Sequence, residues 1–257
     1  MELFKNLYNY RELLKSNVKK EIRGRYKGSF LGVLWSFVNP LLQVLVYAIV
    51  FPYIMRVKTP NYLQYLIVGI IPWTFFTTVM NQGMITIRTN SDIIKKVYFP
   101  REILPISVVL SGLVNFFISC IIILLFCLFG GLGISWHLIL LPFIAILQSL
   151  FSLGLVFALS AINIYIKDTE YIVQFILNMV FYATPILYQA SLFPKKLRWV
   201  IDINPLGGMI EAYRDIFMLH RVPPASSLIY LTIISIVVFF IGLAIFRKLE
   251  KGFAEEV

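Results

Sequence analysis

ILPISVVLSGLVNFFISCIIILLFCLFGGLGISWHLILLPFIAILQSLFSLGLVFALSAINIYI, residues 103–166, contains no Asp, Glu, Lys or Arg. A helix of about 20 apolar residues crosses a hydrocarbon layer roughly 30 Å thick. This stretch is long enough for two crossings, and Gly130-Gly131-Leu132-Gly133 supplies the turn signal between them. On either side the pattern repeats, because 28–55, 59–87, 171–194 and 222–246 also lack charged side chains. The sequence therefore predicts an all-α polytopic membrane protein. Six transmembrane helices are expected at 31–54, 62–84, 103–129, 138–162, 171–188 and 226–246. The chain is 59% apolar and 14% charged, against about 45–50% and 25% in soluble domains. Six crossings use most of its 257 residues, so 1–257 reads as a single transmembrane domain.

Ionisable residues at membrane depth are costly and mark ion-driven mechanisms. The six spans hold none, which points to an energy source outside the chain. The net charge of +10 has no continuous basic face with interleaved aromatics, so nucleic acid is not an expected partner. Topology accounts for its placement. Lys and Arg number eight in 1–27, four in 88–101, one at 167 and three in 247–251. The alternate connections hold two in 56–58, none around 130–137 and five in 195–221. The positive-inside rule then places both termini in the cytoplasm, in agreement with six spans.

About 27 mixed residues precede the first span, unlike the short basic region of a cleavable signal. Leu3, Phe4, Leu7, Tyr8, Leu14, Val18 and Ile22 follow helical spacing, with the lysines largely off that stripe. Such an amphipathic helix over 1–27 lies in the cytoplasmic interface with its lysines toward lipid headgroups; packing on a partner protein fits the same stripe. In the first span Asn39-Pro40 predicts a kink and a freed carbonyl, with Gln43 one turn later. Gly28 and Gly32 form a GxxxG spacing that can mark close helix packing.

Residues 184–224 are too apolar and too patterned for a solvated loop. A short amphipathic helix over 195–203, anchored by Trp199, is broken by Asn204-Pro205. A second helix over 206–220 would span about 22 Å, too short to cross. A re-entrant outer hairpin between spans five and six fits, its ends buried in protein or lining a wet cavity.

No phosphate loop, HExxH, CxxC or nucleophile-elbow pattern occurs, so neither catalytic nor metal-ligating residues are expected. Cys120 and Cys127, seven apart on one helical face, read as small buried residues, and His137 and His220 as interfacial. Asp202, Glu211 and Asp215 cluster on the outer side, where an acid/base pair is conceivable. Glu211 with Arg214 at helical spacing reads more simply as a surface ion pair.

Two cytoplasmic segments have the makings of docking sites. In 88–102, Asn90, Ser91 and Asp92 offer helix caps, followed by Ile93, Ile94, Lys95, Lys96, Val97, Tyr98 and Phe99, with Pro100 as the stop. In 163–170, Asp168 after Lys167 is placed to cap span five. Ordinary loop chemistry explains either composition equally well. Tyr171, Phe175, Asn178 and Tyr182 share one face of span five, and Tyr47 and Phe51 pair on span one. Rings stack on the apolar faces of sugars, so such a face suits a sliding glycan; packing and interfacial belts also place aromatics in membranes.

Arg25-Tyr26-Lys27-Gly28-Ser29-Phe30-Leu31-Gly32-Val33-Leu34-Trp35 with Asn39-Pro40, Lys96-Val97-Tyr98-Phe99-Pro100-Arg101-Glu102-Ile103-Leu104-Pro105, Tyr165-Ile166-Lys167-Asp168, and Thr184-Pro185-Ile186-Leu187-Tyr188 with Leu197-Arg198-Trp199 and Asn204-Pro205 occur in that order along nearly the whole chain. Together they resemble the membrane subunit of polysaccharide-exporting ABC transporters, the ABC-2 type permeases for O-antigen, capsule and wall teichoic acid. Lys167 departs from the pattern, where Arg is commoner.

The resemblance implies a homodimeric half-transporter in the bacterial plasma (inner) membrane, a permease and not an enzyme. Two copies of a separate ABC ATPase would hold ATP and Mg, and this chain would carry no cofactor. The cargo would be a polysaccharide on an undecaprenyl diphosphate carrier, moved outward between two protomers. Trp35, Tyr47, Phe51, Tyr171, Phe175, Asn178 and Tyr182 are the candidate channel residues. The candidate ATPase contacts are Asp92, Ile93, Ile94, Lys96, Val97, Tyr98, Phe99, Pro100, Lys167 and Asp168. Arg23, Arg25 and Lys27 at the cytoplasmic mouth either bind the diphosphate or simply enforce topology. Pro185, Trp199, Asn204 and Pro205 shape the outer hairpin. A permease for drugs or small lipids would share the fold, and a membrane-embedded glycan or lipid enzyme is the third reading.

Overall fold

The charge-free stretches fold as helices that bury their polar main chain internally, as a hydrocarbon environment demands. A computed structural model describes residues 2–24, 28, 30, 32–54, 60–190, 194, 196 and 198–253. Every regular element among them is helical. Two short helices, α1 (Glu2–Asn9) and α2 (Arg11–Gly24), lead to α3 (Trp35–Ile54) and α4 (Tyr62–Thr89). After the small α5 (Ser91–Lys96) come α6 (Ile103–Phe129), α7 (Leu141–Tyr165) and α8 (Thr169–Ala183). The chain then forms α9 (Arg198–Ile203), α10 (Pro205–Phe217) and α11 (Ala225–Leu249).

Four of these helical stretches are long and apolar enough to cross a membrane: those containing α4, α6, α7 and α11. Within α3, Val38–Pro52 forms a shorter apolar helix, with Pro40 and Pro52 both inside α3. The chain is thus a polytopic membrane protein. The fifth expected span stops early, since α8 has 15 residues and ends at Ala183. Thr184 is already extended, at φ −99° and ψ 134°, because a residue before proline is pushed out of the α region.

Helix α4 is the hub, packed against α3, α6, α7 and α10. The densest helix pair is α7 with α11, where the two main chains touch at Gly154 and Gly242. A Cβ on either would strike the other helix's backbone. The GxxxG spacing serves a different purpose, since Gly28 and Gly32 have φ of +79° and +51°. Glycine there supplies a left-handed backbone ahead of α3, and among the described residues nothing packs against either position.

The N-terminal stripe is divided between α1 and α2; of its residues Leu7 and Leu14 pack on the chain itself, joined by Tyr10 and Leu13, while Tyr8 is exposed. Leu7, Tyr10, Leu13 and Leu14 lie on a cluster formed by Ile87, Ile94, Phe99, Leu104, Phe157, Phe246 and Phe253. Asn204-Pro205 separates α9 from α10. The Asn204 carboxamide caps α10 by accepting from Leu206 N at 3.1 Å and donates to Thr184 Oγ1 at 2.8 Å, with Pro205 at the first helical position. Trp199 is exposed on α9, whereas α10 buries Met209, Tyr213 and Ile216 completely.

Candidate functional site

Helices α3, α4 and α8 frame a cleft of about 470 Å³. Each contributes a polar pair one helical turn apart: Gln43 and Tyr47, Thr77 and Asn81, Gln174 and Asn178, with Tyr182 one turn further along α8. Spacing of i and i+4 puts both members on one helical face. Leu177 and the Trp73 and Phe181 rings, whose centroids are 5.5 Å apart, complete the lining. Gln43 Nε2 donates to Tyr47 Oη at 3.4 Å, and Phe51 packs edge-on against Tyr47 at 5.8 Å. None of the described lining residues is charged. The cleft therefore offers amide and hydroxyl hydrogen-bonding groups beside ring faces, chemistry that engages neutral hydroxyl-rich groups and gives an anion no counter-charge.

Of the expected channel residues, Tyr47, Asn178 and Tyr182 meet in this cleft, and Phe51 supports Tyr47. Tyr171 and Phe175 are exposed on α8 but do not line it. Trp35 lines a second cleft between α3, α4 and α6. The sequence reading missed Thr77, Asn81 and Gln174. Their signal is an uncharged polar pair at i, i+4 inside an otherwise apolar span.

The end of the bundle that carries α5 departs from expectation in its details. Ile94 and Phe99, placed by sequence on a partner-facing surface, are 8% and 5% exposed and belong to the chain's own core. A six-residue helix lying against the bundle must turn one side inward, and these two residues fill it. Ile93, Val97 and Tyr98 remain exposed, with Asp92, Lys95 and Lys96 beside them, while Pro100 is half-buried. In the neighbouring turn Tyr165, Ile166, Lys167 and Asp168 are all exposed. Neither expected cap forms. Asn90 donates from Nδ2 to Thr86 O at 2.7 Å and accepts from Lys20 Nζ at 2.9 Å, leaving α5 without a side-chain cap. Asp168 already has helical φ and ψ and makes no cap bond; a capping side chain ordinarily requires extended backbone at that position. Arg23 is exposed at the end of α2, and Arg25 and Lys27 lie outside the described residues.

Charged ties join the connections at this end. Arg88 pairs with Glu170 at 2.6 Å, and Glu170 also accepts from Asn163 Nδ2 at 3.2 Å. Arg247 approaches Glu102 at 3.6 Å, Arg101 Nη1 donates to Glu250 O at 2.6 Å, and Tyr165 Oη donates to Leu249 O at 2.8 Å.

At the opposite end the irregular stretch after α8 exposes carbonyls that no helix can satisfy. Arg214 of α10 donates to Pro185 O at 2.7 Å and to Ile186 O at 3.1 Å. Tyr62 Oη donates to Leu187 O at 2.9 Å, and Tyr65 Oη lies 2.7 Å from Tyr188 O and 3.3 Å from Pro185 O. The guanidinium also sits 3.4 Å over the Tyr65 ring, a cation–π contact strengthened by desolvation. Glu211 completes the set at 2.6 Å. The expected Glu211–Arg214 pair exists, with Glu211 half-exposed but the Arg214 side chain only 3% exposed. Asp215 is buried and pairs with Arg221 at 2.7 Å.

The profile of the ABC-2 type transporter family matches residues 12–218. The chain is 37% identical to the O-antigen export system permease protein RfbA of Myxococcus xanthus, over 100% of both chains. It is 37% identical to the protein of the same name in Klebsiella pneumoniae, over 95% of this chain and 94% of the relative. The polysialic acid transport protein KpsM of Escherichia coli is 24% identical over 91% of this chain and 92% of its own.

Proposed function

This chain belongs to the ABC-2 type transporter family, and from that premise we propose that it is the membrane subunit of an ATP-driven exporter of lipid-linked polysaccharide. Relatives named for O-antigen export and polysialic acid transport support that class of cargo. The observation that carries the reading is the charge-free cleft between α3, α4 and α8, lined by amides, hydroxyls and rings. A neutral glycan exchanges hydrogen bonds along such a wall without meeting a fixed charge that would trap it. The carrier's diphosphate would be met by Arg23, Arg25 and Lys27 instead.

In this reading two copies pair as half-transporters, and each cleft forms half of a path between them. Two copies of a separate ATPase dock on the exposed Ile93, Val97 and Tyr98 surface and on the 165–168 turn. ATP and Mg act in that partner. Helix α8 with residues 184–188 joins α3 and the four long helices to make six crossings in the plasma membrane. Both termini are cytoplasmic, and α9 and α10 re-enter from the outer face.

The test is to replace Tyr47, Asn178 and Tyr182 by Ala, singly and together, in cells that depend on this permease. Stacking of a base on an aromatic ring contributes about 1–3 kcal/mol, and sugar–ring contacts lie toward the low end of that range. Single changes should slow export weakly. The triple variant should abolish export while the ATPase still co-purifies. Wild-type export by the triple variant would overturn the assignment.

A further inference from the structure

The cleft on the other flank of α3 is not used by the path just described. It encloses about 250 Å³ between α3, α4 and α6. Thr74, Thr78 and Gln82 present one polar row on α4, at successive turns, and Asn115 and Ser119 present another on α6. Asn39 faces them from α3, next to Trp35, a ring that is partly open to the surroundings. The Phe75 and Phe116 rings stack 5.1 Å apart in its wall. Gly112 also lines this wall; a Cβ there would run into Val79 and Phe75, so α6 can approach α4 only with glycine at that position.

Polar side chains inside a membrane bundle face either a partner helix or a wet, functional cavity. Here six of them, on three helices, surround one opening. An acyl chain offers no hydrogen bond to Asn39, Thr74, Thr78 or Ser119, and an anion would find no cation among the described lining residues. Uncharged donors and acceptors beside an accessible indole match a neutral sugar ring, which has hydroxyls at its edge and an apolar face. We propose that this cleft is a second carbohydrate site, holding a single neutral glycosyl unit of the exported chain beside the translocation path. Trp35, at the first turn of α3, and Gln82, near the last turns of α4, place it toward the α5 end of the bundle. The site rests on the polysaccharide reading and gives that reading a defined subsite.

The test uses the full chain with its ATPase in native membranes, with Cys120 and Cys127 replaced by Ala. Thr78→Cys and Asn39→Cys report the second cleft, and Asn178→Cys reports the path between α3, α4 and α8. A small, uncharged, membrane-permeant methanethiosulfonate is the probe. Membranes from cells blocked in the first glycosyl transfer are compared with membranes loaded with lipid-linked glycan. Both reporters of the second cleft should label in the glycan-free membranes and lose labelling in the loaded ones.

Protection of Asn178→Cys alone overturns the second site and leaves the path reading intact. Protection of Thr78→Cys and Asn39→Cys without Asn178→Cys keeps the site and moves the path elsewhere. Protection at none of the three overturns both. If neither reporter of the second cleft labels in glycan-free membranes but both label in detergent, a lipid chain fills the cleft and the proposal fails. Having two reporters on different helices keeps the test valid if one substitution fails to fold.

Discussion

At the α10 end a single guanidinium, Arg214, is buried against two carbonyls, a carboxylate and a tyrosine ring. At the α5 end the ion pairs Arg88–Glu170 and Arg247–Glu102 each keep a half-open arginine. The Lys20–Asn90 contact there spans two separate elements, α2 and the α4–α5 junction. Both ends are held by charge, and each pair sets an open partner against a more buried one: Glu102 and Glu170 face half-open arginines, and Arg214 faces a half-exposed Glu211. The difference lies in the remaining partners, since Arg214 also serves two buried carbonyls and a tyrosine ring. A buried cation without its partners is left in low dielectric, where its desolvation dominates. The α10 end is therefore held by four contacts on one guanidinium, whereas the α5 end is held by separate pairs.

Arg214→Leu would break this contrast most severely. It removes the Arg214 donors to Pro185 O and Ile186 O and leaves both carbonyls buried, while the half-exposed Glu211 turns to water. A buried acceptor left unsatisfied costs about 1–3 kcal/mol. The purified permease should show a clearly lowered melting temperature, and export should be lost. Arg214→Lys should recover only part of the stability, since one ammonium on a flexible stem cannot reproduce the fork that reaches both carbonyls. A melting temperature for Arg214→Leu equal to wild type would mean that the clasp does not order the stretch after α8.

Glu170→Gln at the other end is expected to do far less. Arg88 retains water as a partner, and the glutamine can still accept from Asn163. The loss should stay below about 1 kcal/mol, seen as a small shift in melting temperature that vanishes in high salt. If the shift equals that of Arg214→Leu, the ties at the α5 end hold as strongly as the Arg214 clasp, and the contrast is wrong.

How much of this contrast was legible in the sequence depends on the range of the interactions involved. The gaps in charge set the long helices, because crossing length and apolar content are local properties. The Asn204-Pro205 break was equally readable, since cap and proline act within three residues. The premature end of α8 could have been read from Thr184-Pro185 by the same rule. Gly154 and Gly242 could not be read, since each is a lone glycine in an apolar helix and their meaning arises only when α7 crosses α11. The burial of Arg214 was invisible for a related reason: its acceptors lie on a turn 28 and 29 residues away. In the cleft, Tyr47, Asn178 and Tyr182 were found from aromatic spacing. Thr77, Asn81 and Gln174 were overlooked because uncharged polar pairs leave no gap in an apolar run.

The smallest effect on the fold, and the sharpest test of the α5 end, is expected from Tyr98→Asp. Tyr98 is 93% exposed, and Val97 beside it is 57% exposed. Ile94 and Phe99, on the inward side of the same segment, belong to the buried cluster with Phe246 and Phe253. The segment thus separates a structural face from a free one within six residues. A surface substitution away from buried contacts usually changes stability by no more than about 0.5 kcal/mol, so Tyr98→Asp or Val97→Asp should leave the melting temperature unchanged. Phe99→Ala, by contrast, empties a core position and should cost about 3–5 kcal/mol. If the free face docks the ATPase, Tyr98→Asp should abolish co-purification of the partner and its permease-stimulated hydrolysis, in a permease that is otherwise folded and inserted. Phe99→Ala should lower both only in proportion to the protein lost. A Tyr98→Asp, Val97→Asp double variant that holds the ATPase at wild-type yield would move the docking surface to the exposed turn at Tyr165, Ile166, Lys167 and Asp168. The inward anchors Ile94 and Phe99 would then serve only to tie α5 to the bundle.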